Sequence, residues 1–85
     1  MNELEERARS QLMAIESMYG VKIQGRDAVA RTIAEGVADS RQILRVCTYL
    51  NSWLAMSGAG GDVAVPRDVL ANAIKRSSPG PTAGR

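Results

Sequence analysis

The sequence contains no histidine, no phenylalanine and a single cysteine, and aromatic residues make up only 4% of its 85 residues. Histidine is the commonest general base and a frequent metal ligand. Its absence, together with the single cysteine, argues against a zinc site or a histidine-dependent catalytic triad. With so few aromatics the core must be aliphatic and alanine-rich, which favours closely packed helices over a β-sandwich. The composition therefore predicts one small all-α domain.

Long hydrophobic runs are also missing, since none approaches the roughly 18 apolar residues of a membrane-spanning helix. The N-terminal segment is acidic and lacks the basic and apolar regions of a signal peptide. Cys47 is the only cysteine and falls on an apolar helical stripe. We interpret it as a buried thiol in a reducing compartment, which predicts a cytoplasmic protein.

The charge of the chain is modest and unevenly distributed. The formal net charge is +2, from 11 lysines and arginines against 9 acidic residues. The first twenty residues carry an excess of acids, and the rest of the chain carries an excess of bases. A mild basic bias of this kind permits contact with nucleic acid without requiring it.

The most regular stretch covers residues 39–56, in which apolar residues return at helical spacing. Its apolar stripe consists of Ile43, Cys47, Leu50 and Leu54, flanked by Val46 and Trp53. Either Asp39 or Ser40 can cap the start, and Gly58 stands where a glycine commonly ends a helix. The opposite face carries Arg41, Arg45 and Thr48. We expect this helix to lie at the centre of the fold, with an apolar side in the core and a cationic side outside.

Three further helices are predicted around the central one. They cover residues 2–18, 26–35 and 66–75. The first is expected to bury Leu4, Ala8, Leu12, Ile15 and either Met18 or Tyr19. Residues 21–25 alternate between apolar and polar but form a single such run, so we interpret them as a connector with one short extended piece and do not predict a sheet from this run alone. The glycine-rich run at 57–61 is interpreted as a flexible surface loop.

The C-terminal segment has a different composition. Residues 77–85 hold two of the three prolines, two glycines and almost nothing apolar. This composition predicts a disordered tail. The prediction for the fold is thus an all-α, compact bundle of about four helices over residues 1–76, followed by a disordered tail over residues 77–85.

One known module offers a first comparison for the middle of the chain. In a DNA-binding helix-turn-helix, residues 27–35 would form the positioning helix and residues 39–56 the recognition helix. That arrangement would explain Arg41 and Arg45 near the start of the second helix. It predicts a small regulator that binds operator DNA as a dimer. A further alternative is a protein-binding adaptor without a nucleic-acid role.

A second comparison covers more of the chain, from about residue 15 to residue 74. The matching segments are IAEGVADSRQILRVCTYL at 33–50, the long helix ending near Met56, and VPRDVLANAI at 65–74. In this order they resemble the small C-terminal helical lid domain of AAA+ ATPases. Within that class, YGVKIQGRDAVARTIAEGVADSRQILR is most similar to the target-DNA-selecting transposition ATPases.

The resemblance implies a function for several basic residues. Arg41 follows the turn Ala38-Asp39-Ser40 and looks like the arginine that senses the phosphates of ATP, bound with Mg²⁺ by a preceding ATPase core. The implied role is in DNA transposition or related DNA metabolism, through nonspecific DNA binding, a transposase-like partner, or both, with oligomerisation through the parent ATPase. A basic patch facing DNA is assigned to Arg45, Lys22, Arg26, Lys75 and Arg76.

The motifs of ATP hydrolysis are not present in the chain itself. It contains neither G-x-x-x-x-G-K-[ST] nor a strand ending in paired acids. We therefore predict a non-catalytic domain with no cofactor of its own and assign no catalytic or metal-binding residue.

Overall fold

The structure, a computed structural model, describes residues 2–58 and 60–77. Its elements are α1 (Glu3–Tyr19), β1 (Val21–Ile23), α2 (Arg26–Gly36), α3 (Ser40–Ser57), β2 (Gly61–Val63) and α4 (Arg67–Ser77). The predicted four-helix all-α bundle is confirmed, with a small sheet as a minor addition. In this part of the chain no helix is both long and apolar enough to cross a bilayer.

The predicted C-terminal boundary lies one residue too early. Ser77, predicted as the first residue of the tail, is the last residue of α4 and is only 2% exposed. It remains helical because its side chain is held in the core by hydrogen bonds rather than by apolar contacts. The predicted disorder of residues 78–85 falls outside the described residues.

Helix α3 is the centre of the fold, as predicted. The carboxylate of Asp39 caps it by accepting the N–H of Gln42 at 3.0 Å. Gly58 ends it in the left-handed conformation, with φ of 65°, which glycine adopts without strain. The helix packs against α1 on one side and α4 on the other. Its buried residues are Gln42, Ile43, Val46, Cys47, Leu50 and Leu54, with Trp53 partly buried beside them.

The apolar face of α1 is shorter than predicted. Its buried residues are Ala8, Leu12 and Ile15. Met18 and Tyr19, either of which was expected to extend this face, are 68% and 37% exposed. The reason is that the chain turns after α1 into β1, where Val21 and Ile23 fill the core beyond the end of the helix.

The short extended piece predicted within residues 21–25 is β1. The sheet was not predicted: β1 pairs with β2 as two parallel strands. Lys22 lies opposite Asp62, and the N–H of Gln24 extends the pairing by donating to the carbonyl of Val63 at 2.8 Å. Parallel strands need a long connection between them, which α2 and α3 provide here. The glycine-rich run at 57–61 therefore ends in a strand rather than remaining a loop throughout.

Gly36, the last residue of α2, lies where α2 meets α4. A Cβ atom at this position would stand 2.9 Å from the Cγ2 atom of Ile74. Contacts this short do not occur between real Cβ atoms and their neighbours. The small residue thus allows the two helices to approach each other closely.

Candidate functional site

An open groove of about 560 Å³ lies between α3 and the C-terminal end of α4. We call it the arginine groove, and its lining residues are Arg45, Thr48, Tyr49, Ser52, Trp53, Met56, Arg76 and Ser77. The first six share one face of α3 because residues three and four positions apart are neighbours on a helix. All eight are basic or uncharged, so the groove is complementary to an anion.

Two arginines stand at the edge of this groove. Arg45 is exposed on α3. The guanidinium carbon of Arg76 lies 5.8 Å from the centroid of the Tyr49 ring, a cation–π arrangement that holds the side chain over the groove. Among the described residues, neither arginine has a carboxylate partner within ion-pair distance.

Arg41 extends the cationic edge toward the start of α3. It is exposed on the first turn of the helix and lines a shallow pocket of about 130 Å³ together with Asp39, Gln42 and Arg45. Since Arg45 borders both this pocket and the arginine groove, we call Arg41, Arg45 and Arg76 the basic rim. Asp39 is engaged in capping α3.

The arginine groove offers chemistry suited to binding. Guanidinium groups form bidentate hydrogen bonds with phosphates and carboxylates, and aromatic rings offer flat surfaces for stacking.

Comparison of the chain with protein-family models, curated proteins and solved structures found no match. Within the described residues no group of histidine, cysteine or acidic side chains could hold a metal ion. Burial raises the pKa of the Cys47 thiol to about 11, so it stays protonated near neutral pH and is a poor nucleophile.

Of the basic residues assigned to a DNA-facing patch, the structure brings Arg45 and Arg76 together and separates the other three. Lys75 lines another groove, between α2 and α4. Lys22 and Arg26 line a small pocket near the start of α2. A single continuous patch of all five residues is therefore not formed, whereas Arg41, assigned separately to phosphate sensing, lies beside Arg45.

Arg26 is engaged in the fold. Its Nη1 atom donates to Oε1 of Glu16 at 2.7 Å, while Oε2 of Glu16 accepts the N–H of Ile23 at 2.7 Å. The hydrogen bond from Ile23 and the neighbouring Arg26 lower the pKa of Glu16, and desolvation opposes them in part. One carboxylate thus ties the end of α1 to β1 and to the first turn of α2.

Sequence reasoning missed the hydrogen bonds that position the two sides of the groove. Gln42 is 7% exposed, and its Oε1 atom accepts the N–H of Ala38 at 2.8 Å. Its Nε2 atom donates to Oγ of Ser77 at 3.1 Å, and that hydroxyl donates to the carbonyl of Ile74 at 2.6 Å. These bonds fix the end of α4, next to Arg76, against the start of α3.

A signal for Gln42 was present in the sequence. It stands four residues before Val46, on the side of α3 that is otherwise apolar. A polar side chain in such a position has to find hydrogen-bond partners in the core, which makes it a candidate for a structural contact. The groove itself had only the weaker signal of Tyr49 and Trp53 one turn apart.

Proposed function

We propose that this chain is a non-catalytic helical lid-type domain of an AAA+ ATPase acting in DNA transposition or related DNA metabolism in the cytoplasm. In this role it binds DNA nonspecifically and contacts a transposase-like partner. The observation that carries the proposal is the basic rim, in which Arg41, Arg45 and Arg76 are exposed along one edge without carboxylate partners in the described residues.

The order of the elements supports the lid assignment. Helices α2 and α3 are separated by residues 37–39, and α4 contains most of the segment VPRDVLANAI that carries the resemblance. Arg41 is exposed on the first turn of α3, so its side chain can reach a phosphate on a neighbouring domain. In a parent ATPase that supplies ATP and Mg²⁺, Arg41→Ala should lower the rate of ATP hydrolysis. An unchanged rate would remove the sensing role.

DNA binding by the basic rim should be electrostatic and sensitive to salt. Each arginine that neutralises a phosphate releases counterions, and log K falls with log salt by about 0.9 per phosphate neutralised on duplex DNA. At about 0.1 M salt one such arginine is therefore worth roughly tenfold in affinity. Replacing two arginines at once should weaken binding enough to be measured easily.

The test is a fluorescence-anisotropy titration of a short random-sequence duplex at about 0.05 M and about 0.2 M salt. The double variant Arg45→Gln, Arg76→Gln should bind roughly tenfold more weakly for each arginine and show a shallower salt slope. The matched control is Arg9→Gln, Arg31→Gln, which removes the same charge from α1 and α2. Equal weakening in both variants would contradict a defined rim, and no binding by the unmodified chain would overturn the proposal.

A second candidate is the helix-turn-helix regulator, favoured by the short turn at 37–39 and by Arg41 and Arg45 at the start of α3. A regulator reads base edges and prefers its operator by a factor of about 10³ or more over random duplex. Selection from a pool of random duplexes distinguishes the two. Enrichment of one palindromic site would favour the regulator, and a pool that stays random would favour the lid domain.

A further inference from the structure

We infer that the arginine groove accepts a single-stranded segment of DNA, with an unpaired base stacked on Trp53 and neighbouring phosphates held by Arg45 and Arg76. The inference rests on the proposed function and deepens it, because it specifies the form of DNA that the site selects. The decisive observation is that the groove lined by the two arginines is also lined by the aromatic side chains Tyr49 and Trp53, by Met56 and by small polar side chains.

Phosphate contacts alone do not account for the lining of the groove. A duplex presents its phosphates on the outside and keeps the faces of its bases stacked inside. An aromatic side chain in a groove therefore cannot stack on the bases of an intact duplex. In an unpaired strand the bases are free, and proteins that bind single strands combine a cationic groove with aromatic side chains on which bases stack. The arginine groove combines the same two features.

The two aromatic residues have different roles in this arrangement. Tyr49 is partly covered by the guanidinium group of Arg76, at 5.8 Å, so it serves to position that arginine. Trp53 lies one turn further along α3, is partly buried and also lines the groove. It is therefore the stacking surface, and its packing against the core holds the ring in place.

The polar residues of the groove fit the same ligand. Arg45 lies two helical turns before Trp53, about 12 Å along the axis, so the strand would run along α3. The exposed side chains of Thr48 and Ser52 lie between them. The hydroxyl of Thr48 donates to the carbonyl of Leu44 at 2.8 Å, so towards a ligand it can only accept, whereas Ser52 offers a hydroxyl group that suits sugar and base edges. Since no carboxylate lines the groove, nothing repels the phosphates.

The test compares single-stranded and duplex DNA with the same number of phosphates, using the full chain. Trp53 is the only tryptophan, so its fluorescence reports the groove directly. Duplex DNA has the higher charge density, so purely electrostatic binding favours the duplex. Stacking of one base on Trp53 is worth about five- to 150-fold in affinity, so a thymidine homopolymer should bind more tightly than the duplex despite its lower charge density, and it should quench the fluorescence of Trp53.

Two variants separate stacking from folding, with labelled DNA as the probe and circular dichroism as the check on structure. Trp53→Phe keeps an aromatic face and should keep the preference for the single strand. Trp53→Leu keeps an apolar side chain against the core and should lose the preference while binding duplex as before.

The remaining outcomes each overturn part of the scheme. Duplex binding equal to or tighter than single-strand binding, without quenching, overturns the inference and leaves the proposed function standing. Absence of binding to either form overturns both. Displacement of DNA by polyglutamate at similar concentration, with the same quenching, also overturns the inference, in favour of an acidic polypeptide as the occupant.

Discussion

The two helix pairs of this domain are held together by different interactions. Between α1 and α2 charged side chains form ion pairs: Arg9 with Asp27, Arg31 with Glu5, and the partly buried pair of Arg26 with Glu16. Arg9 also pairs with Glu5 within α1. Between α3 and α4 the described residues form no ion pair. Their polar link is the buried hydrogen bond from Gln42 to Ser77.

This difference determines where cationic side chains are available to a ligand. A guanidinium group that faces a carboxylate contributes little potential to the surrounding solvent. In the α1–α2 half, Arg9, Arg26 and Arg31 are paired in this way. In the α3–α4 half a neutral amide and a hydroxyl group connect the helices, so the arginines of the basic rim stay free for phosphates.

The largest effect on stability is expected at Gln42. Gln42→Ala would leave the N–H of Ala38 and the hydroxyl of Ser77 without this partner and should lower the free energy of unfolding by about 1–3 kcal/mol. Urea denaturation followed by circular dichroism measures the loss. Gln24→Ala is the control, since that side chain is exposed and should change little. A loss at Gln42 no larger than at Gln24 would mean that the buried link does not hold α3 and α4 together.

A smaller loss is expected at Gly36, where the two halves meet. Alanine is the better helix former, so propensity alone predicts a gain. The new methyl group would instead press on Cγ2 of Ile74, which is attached directly to that residue's Cβ and moves only if χ1 changes, a rotation that is disfavoured for a β-branched residue in a helix. We expect Gly36→Ala to cost about 1 kcal/mol.

A double-mutant cycle tests this explanation for Gly36. Ile74→Ala removes the opposing atoms, so the double variant Gly36→Ala, Ile74→Ala should be more stable than the sum of the two single changes indicates. Additive losses would show that α2 and α4 do not approach each other as closely as described.

The next largest effect is a fall in the stability of the folded state at acidic pH, caused by protonation of Glu16. Because the folded-state pKa of Glu16 is lowered from the ordinary value of 4.5, its contribution to stability is complete above 4.5 and is lost as the pH falls through the lowered pKa. Urea midpoints measured from neutral to acidic pH should fall further for the unmodified chain than for Glu16→Gln, which keeps an acceptor for Ile23 but does not titrate. Parallel pH profiles would contradict this role.

The smallest effect is expected at the exposed ion pairs of Arg9. Arg9→Gln should cost at most about 1 kcal/mol, since exposed pairs gain little in water. The loss should vanish near 1 M NaCl, where the screening length is about 3 Å. Arg67→Gln, which removes an exposed arginine without an ion pair in the described residues, is the control. If the loss of stability in Arg9→Gln persists at high salt, it does not come from exposed ion pairs. The contrast between ion pairs in the α1–α2 half and a buried hydrogen bond in the α3–α4 half would then not hold.

Features that depend on residues within a single helix were predicted correctly from the sequence. The stripe of α3 repeats over about three turns, so its centre, cap and end could be predicted from adjacent residues. The pairing of β1 with β2 could not, because the partner of Val21 is Gly61, on the far side of two helices. Gln42 was missed for a related reason, since its partner Ser77 was placed in the tail.

The candidate site divides in the same way. Arg45 and Arg76 were both selected from the sequence as basic residues, but their distance along the chain gives no indication that they share a groove. From the sequence, Lys22 and Arg26 were equally good candidates because they are basic as well. Only the ion pair with Glu16 and the position of β1 separate that second group from the basic rim.

The sequence by itself determined the four helices of this protein, the cap of α3, the apolar stripe of α3 and the arginines on its outer face. These depend on interactions between residues within a few positions of each other, which a linear pattern records. The tertiary structure alone decided the parallel strand pair, the buried bond between Gln42 and Ser77, and the placement of Arg45 and Arg76 along one groove with Trp53. Each of these joins residues far apart in the chain, so it exists only once the helices have packed.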